Sequence, residues 1–233
     1  MVFLLSIILS LSASFLFLLV WERMPVSWLF DVSHLPLQEH HLPHPKSKTL
    51  SRPVPRFVLF LLFFAEISLL LKKVAPGDVF GGLSLFWFLT HIALTDHLYR
   101  LIPDQWSLGI ALLGILRLFS AATACGGSLS PWTSHIPGLF LCSAIFLFLY
   151  LFPKLLTGAP ALGLGDVKLI FALEIALSWQ EYVTVMGSAA LLGGAIAAAL
   201  LIHSRITKIP CDRGLPYGTV IALTFFLLLL YRP

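Results

Sequence analysis

Gly163-Leu164-Gly165-Asp166-Val167-Lys168-Leu169 heads an apolar run that reaches residue 177, and it sets a carboxylate where the chain has little else to offer water. An ionisable group at membrane depth costs on the order of 3 kcal/mol on insertion scales, so such an acid is read as functional and as having a partner. The two glycines before it let another backbone come close. Residues 167–177 are too few for a crossing of about 20 residues unless the segment starts at the motif itself. The stretch therefore reads as a short or re-entrant helix inside a bundle of longer ones.

The surrounding chain supplies that bundle. Of 233 residues, 58% are hydrophobic and 11% charged, and the mean hydropathy is +0.94. Such a chain cannot cover itself with a water-soluble surface, so the fold class is an all-α polytopic membrane bundle. Candidate spans lie at 1–20, 57–74, 79–95, 105–121, 135–152, 167–177, 182–202 and 216–230, about eight segments. The first has no basic n-region and no small-residue cleavage site, and it reads as a retained span. Residues 1–233 form one integral membrane domain with a single long polar loop at about 21–55.

The net charge of +4 invites a nucleic-acid reading. However, the basic residues make no stripe or block, and no nucleic-acid partner is expected. They mark topology instead. With the first loop in the cytoplasm, alternate loops carry Arg23, Lys46, Lys48, Arg52 and Arg56, then Arg100, then Lys154, then Arg205, Lys208 and Arg213. The other side holds mainly Lys72, Lys73 and Arg232. By the positive-inside rule the N-terminus faces outward. Arg117, inside the fourth span, has no topological role. Cys125, Cys142 and Cys211 form no CxxC pair and read as free thiols.

Asp96 follows the third span and Asp166 the fifth, so two crossings separate them and both emerge on the cytoplasmic side. Two carboxyl groups brought together in a low-dielectric site do not both ionise readily, and one holds a proton while the other stays charged. Such a pair can activate water: the charged member takes its proton, and the protonated member donates to the carbonyl under attack and assists departure of the amine. The two titrate as a unit, so neither is assigned a fixed acid or base role.

Three stretches together resemble the prepilin peptidases, a family of GxGD aspartic proteases. Thr95-Asp96-His97-Leu98-Tyr99-Arg100-Leu101-Ile102-Pro103-Asp104 is similar to the family's first catalytic segment, an aspartate followed eight positions later by the acid of an I/L-P-D turn. Gly163-Leu164-Gly165-Asp166-Val167-Lys168-Leu169 is similar to its second, and Leu215-Pro216-Tyr217-Gly218 to the P-F/Y-G element that opens its last span. The resemblance implies catalytic roles for Asp96 and Asp166, with motif support from Gly163, Gly165, Lys168, Pro103, Asp104, Pro216 and Gly218.

It further implies a multi-pass protein of the bacterial inner membrane. Such an enzyme removes the basic leader of type IV prepilins or type II secretion pseudopilins just before their hydrophobic helix, on the cytoplasmic face. Long members of the family carry paired CxxC motifs, a zinc site, in the first loop; this loop has no cysteine, and no metal is expected. Proteolysis needs no cofactor. N-methylation of the new N-terminus, with S-adenosylmethionine as donor, is the family's second activity, and the degenerate loop puts it in question, although Arg23-Met24-Pro25 resembles the family's R-x-P start to that loop.

Several residues have plainer readings. Asp104 can shape the turn after Pro103 or cap the next helix. Lys168 can neutralise Asp166, meet substrate, or snorkel to the interface. His40, His41 and His44 lack the spacing of a metal site. Glu66, Glu174, His91 and His203 are not assigned to chemistry, and Gly193-Gly194 read as helix-contact residues. The alternatives to a prepilin peptidase are a presenilin-like intramembrane protease, a membrane transporter with acids at broken helices, and an inactive assembly partner.

Overall fold

In lipid a backbone must satisfy its own hydrogen bonds, and helices do this within a single segment. A computed structural model describes residues 2–24, 53–73, 76–124, 126, 130–133, 135–157, 163–207 and 215–231, and among them there are helices and turns but no strand. The helices are α1 (Val2–Arg23), α2 (Pro53–Lys73), α3 (Pro76–Tyr99), α4 (Asp104–Ala124), the single turn α5 (Ser130–Thr133), α6 (Ile136–Thr157), α7 (Leu164–Ala176), α8 (Trp179–Thr207) and α9 (Tyr217–Tyr231). Leu5–Arg23, Asp104–Ala124 and Trp179–Thr207 are long and apolar enough to cross a membrane. The architecture is a membrane helical bundle. His40, His41 and His44, most of the loop at 21–55, Cys125, Cys211, Lys208 and Arg213 lie outside the described residues.

The chain divides into two compact units whose boundary falls inside α3, between Trp87 and Phe88. In the first unit, α1 packs on α2. Ser6, Ser10 and Ser14 recur every four residues on α1 and are buried, a stripe of small residues of the kind that lets helices approach closely. Farther along the helix Phe17 meets Phe63 edge to face at 5.9 Å, and Phe63 meets Phe86 at 5.5 Å.

The second unit, Phe88 to Leu228, is organised around α7. That helix has 13 residues, and Val167, Leu169, Ile170, Ala172, Leu173, Glu174 and Ala176 are all buried. At 1.5 Å per residue it is about 20 Å long, short of the roughly 30 Å hydrocarbon core. It starts at the glycine motif, which is the condition under which the sequence admits it as a segment. Helices α4 and α7 run parallel. The first turn of α4 meets the second turn of α7 through Asp104 and Lys168, and at the far end of α7 Arg117 of α4 donates to the carbonyl of Ala176 at 3.1 Å. Between these points a Cβ on Gly114 would lie 2.7 Å from the Ala176 backbone, so only glycine permits this approach.

Two boundaries differ from the hydropathy reading for physical reasons. Helix α3 continues past Thr95 to Tyr99 because the Arg100 N–H still finds the Asp96 carbonyl at 2.9 Å. Asp96 therefore sits in its last turn and not after it. Helix α8 starts at Trp179, ahead of the expected 182, because Ser178 and Glu181 form a cap: the Ser178 N–H and hydroxyl donate to Glu181 at 3.1 and 2.8 Å, in the S-x-x-E arrangement that starts helices.

Candidate active site

The site assembles where three segments of the chain meet: the end of α3, the start of α7 and the start of α9. Helix α3 terminates at Arg100, whose φ of 58° is left-handed, the usual way for a helix to end and turn, though more costly for arginine than for glycine. The turn carries the chain through Ile102 and buried Pro103 into α4. Ile102 is the hub. A Cβ on Gly165 would lie 3.1 Å from Ile102 Cβ, and a Cβ on Gly218 would lie 3.1 Å from Ile102 Cδ1. The two glycines of the second and third motifs thus close on one isoleucine of the first.

Asp96 is 6% exposed, and its carboxylate is held by the start of α9. The Thr219 N–H donates to Oδ2 at 3.0 Å. Unsatisfied N–H groups and the positive end of the helix dipole favour an anion there. The Thr219 hydroxyl turns back to the Ala93 carbonyl at 3.0 Å and fastens α9 to α3. A Cβ on Gly218 would stand 3.1 Å from Asp96 Oδ2, so a side chain there would crowd the carboxylate. Arg100 is the cationic neighbour of Asp96.

Asp166 lies in the first turn of α7 and is half-buried. Its carboxylate folds back over the Gly163 backbone at the N-cap, the N3 position from which a capping box is built. Gly163 has φ −67° and ψ 147°, a conformation open to any residue. Its need is space, because a Cβ would come within 3.0 Å of Asp166 Oδ2. The two carboxyl groups are near enough to act on each other electrostatically, and Asp166 also acts on the Tyr217 phenol.

The remaining motif residues take supporting positions. Lys168 does not turn to Asp166; its Nζ donates to both carboxylate oxygens of Asp104, at 2.8 and 2.7 Å. Residues two apart on a helix face opposite ways, so Asp166 looks toward α3 and α9 while Lys168 looks toward α4. Asp104 is the first residue of α4, and Pro216 directly precedes α9. Glu174 lies two turns beyond Asp166, buried, with one carboxyl oxygen lacking a hydrogen-bond partner among the described residues. His91 is fully buried against Trp106, with ring centroids 4.6 Å apart, and His203 is exposed. Gly193 touches Leu215 and Tyr217, whereas a side chain on Gly194 would meet open space. Among the described residues no group of three or more His, Cys, Asp and Glu could hold a metal ion.

Ile102, Thr219, Gly114 and Arg117 escape the sequence reading as site residues. Ile102 and Thr219 leave a trace, the first as the isoleucine of the I-P-D turn and the second as the residue following the Pro-Tyr-Gly element.

Gly165 makes a direct test of this close packing. Gly165→Leu is expected to push α7 away from Ile102 and lower activity by about a hundredfold, since displacements near 1 Å cost that much in a positioned site. Membrane insertion, checked by fractionation, should be unchanged; normal processing by this variant would remove Gly165 from the site.

These features define a membrane protein, helical among the described residues, in which the segments bearing Asp96 and Asp166, distant in the chain, both pack against Ile102. The chain belongs to the type IV leader peptidase family, whose characteristic sequence matches residues 83–198. It is 31% identical over 166 residues to a prepilin leader peptidase/N-methyltransferase of Klebsiella pneumoniae, covering 68% of this chain and 67% of that one. It is 29% identical over 178 residues to the Aeromonas hydrophila protein of the same name, covering 76% of this chain and 58% of the relative. The Pseudomonas putida protein of that name aligns over 91% of this chain and 67% of its own length, at 27% identity. The chain thus spans less than two thirds of the length of the Aeromonas relative. No solved structure is significantly similar to it.

Proposed function

We propose that the chain is an aspartic endopeptidase of the bacterial inner membrane that cleaves the leader from type IV prepilins or type II secretion pseudopilins at the cytoplasmic face. On this reading residues 1–233 work as one integral membrane peptidase. The observation that carries it is the convergence of the two acid-bearing segments on Ile102, which lies against Gly165 beside Asp166 and against Gly218 beside the Asp96 carboxylate; a pair of acids brought together is what shared-proton hydrolysis requires.

The chemistry follows from that pairing. Water held between the carboxyl groups loses a proton to the ionised member as it attacks the scissile carbonyl, while the protonated member donates to the carbonyl oxygen. Collapse of the tetrahedral intermediate transfers a proton to the departing amine and resets the pair. The Thr219 N–H on Asp96 holds that acid in place, and Asp166 is placed by the first turn of α7. The substrate's hydrophobic helix approaches laterally through lipid, and its basic leader remains in the cytoplasm.

Methyl transfer, which the relatives' names pair with peptidase activity, would use S-adenosylmethionine. We assign none of the residues placed here to it, and no step of the proteolysis passes through it.

The test is incubation of the purified protein with several prepilins in detergent or liposomes, reading the product's N-terminus by mass spectrometry. Leader removal just before the hydrophobic helix is the expected result. Intact substrate throughout would overturn the reading in favour of a transporter or an inactive partner.

A further inference from the structure

We propose that Asp104 and Lys168 act as a clamp that sets the rotation of α7 and so aims Asp166 at Asp96; the proposal rests on the peptidase reading above. Both are positioning residues, since they act through Asp166 and not on substrate.

The first support is an electrostatic oddity. Lys168 lies in the second turn of a helix that begins at Leu164, toward the positive end of the macrodipole, where a cation gains nothing from its own helix. Its charge does not serve its own helix. It serves the contact with Asp104, 64 residues away, with Nζ at 2.7 and 2.8 Å from the two carboxylate oxygens. Asp104, in the first turn of α4, is where the dipole welcomes an acid.

The second support is geometric. About 200° of helical rotation separates residues two apart, so any turn of α7 that breaks the ion pair swings Asp166 off its mark. The ion pair adds a polar restraint to the packing of α7 at this end, where Gly163, at the N-cap, has no side chain with which to cap the helix and Gly165 packs on Ile102. The far end is held by Arg117 on the Ala176 carbonyl, so the clamp supplies the matching restraint at the catalytic end. The side chains are 43% and 66% exposed, and an exposed ion pair contributes little to global stability. Its effect is therefore on aim more than on folding.

The experiment compares wild type, Asp104→Asn, Lys168→Met, the double variant, and the exchanged pair Asp104→Lys/Lys168→Asp. Steady-state cleavage of a prepilin and the thermal unfolding midpoint in detergent are both measured. Each single variant should lower kcat by about tenfold with KM within about twofold, because misaiming costs turnover before it costs binding. The double variant should be no slower than the slower single, and the exchanged pair should return to within about threefold of wild type. Losses that multiply to about a hundredfold in the double variant, or an exchanged pair that is folded but as slow as the singles, would overturn the clamp. Should wild type cleave no prepilin, the peptidase reading fails, and the unfolding midpoints decide the pairing separately. Equal shifts in both singles and the double would support it, and summed shifts would refute it.

Discussion

Asp166→Asn is expected to slow leader cleavage by about a thousandfold, and Asp96→Asn by the same order, which is the range that a positioned proton-transfer group contributes. Neither change should unfold the protein. An asparagine at 96 keeps an amide oxygen to accept from Thr219 N–H, now 3.0 Å from Asp96 Oδ2. Removing an acid from lipid surroundings eases insertion. The losses should also fail to add, since two groups sharing one proton act as a unit and losing either disables both. Single-turnover cleavage, followed by gel or mass spectrometry beside thermal unfolding curves, gives the answer. A folded single variant that keeps a tenth of wild-type activity or more would mean that the two acids do not carry the hydrolysis.

The second large effect lies away from the acids. Gly114→Val places a side chain where even a Cβ would come within 2.7 Å of the backbone at Ile175 and Ala176. Flexible side chains can yield, but backbone inside a helix cannot, so α4 and α7 must part. Overpacking of this kind costs about 3 kcal/mol at the upper end of its usual range, and here it also moves α7 as a body. Loss of both activity and thermal stability is expected. Gly187→Ala is the control, because a Cβ there meets nothing within 4 Å; it should leave the unfolding midpoint unchanged. Equal tolerance of the two substitutions would contradict the close approach of α4 and α7.

Much of this arrangement is legible in the order of the amino acids, and the reasons are physical. Apolar runs in lipid have one secondary structure available, and each crossing changes side, so counting runs puts Asp96 and Asp166 at the same end. The short run after Asp166 is legible as a segment only because the motif supplies its missing first turn. The partners of each acid are not legible in the same way. Thr219 reaches Asp96 across 123 positions and Lys168 reaches Asp104 across 64; no local period encodes such meetings. Gly114 sits in an ordinary apolar stretch, and its value appears only once Ala176 lies against it. The start of α8 is readable in principle, since Ser178 and Glu181 have capping-box spacing, but hydropathy obscures it by running smoothly across the join.

The order of the pieces along the polypeptide has a consequence for biogenesis. A nascent chain has both acids in place as soon as α7 has entered the bilayer, yet the amide donor that seats Asp96 arrives only with α9. Until that helix is threaded, one carboxylate has no cradle and the pair no fixed geometry. A truncation ending before Pro216 should accordingly insert yet stay proteolytically silent. Joining Asp96 to a donor 123 positions further along the chain makes the seating of that acid depend on the arrival of α9.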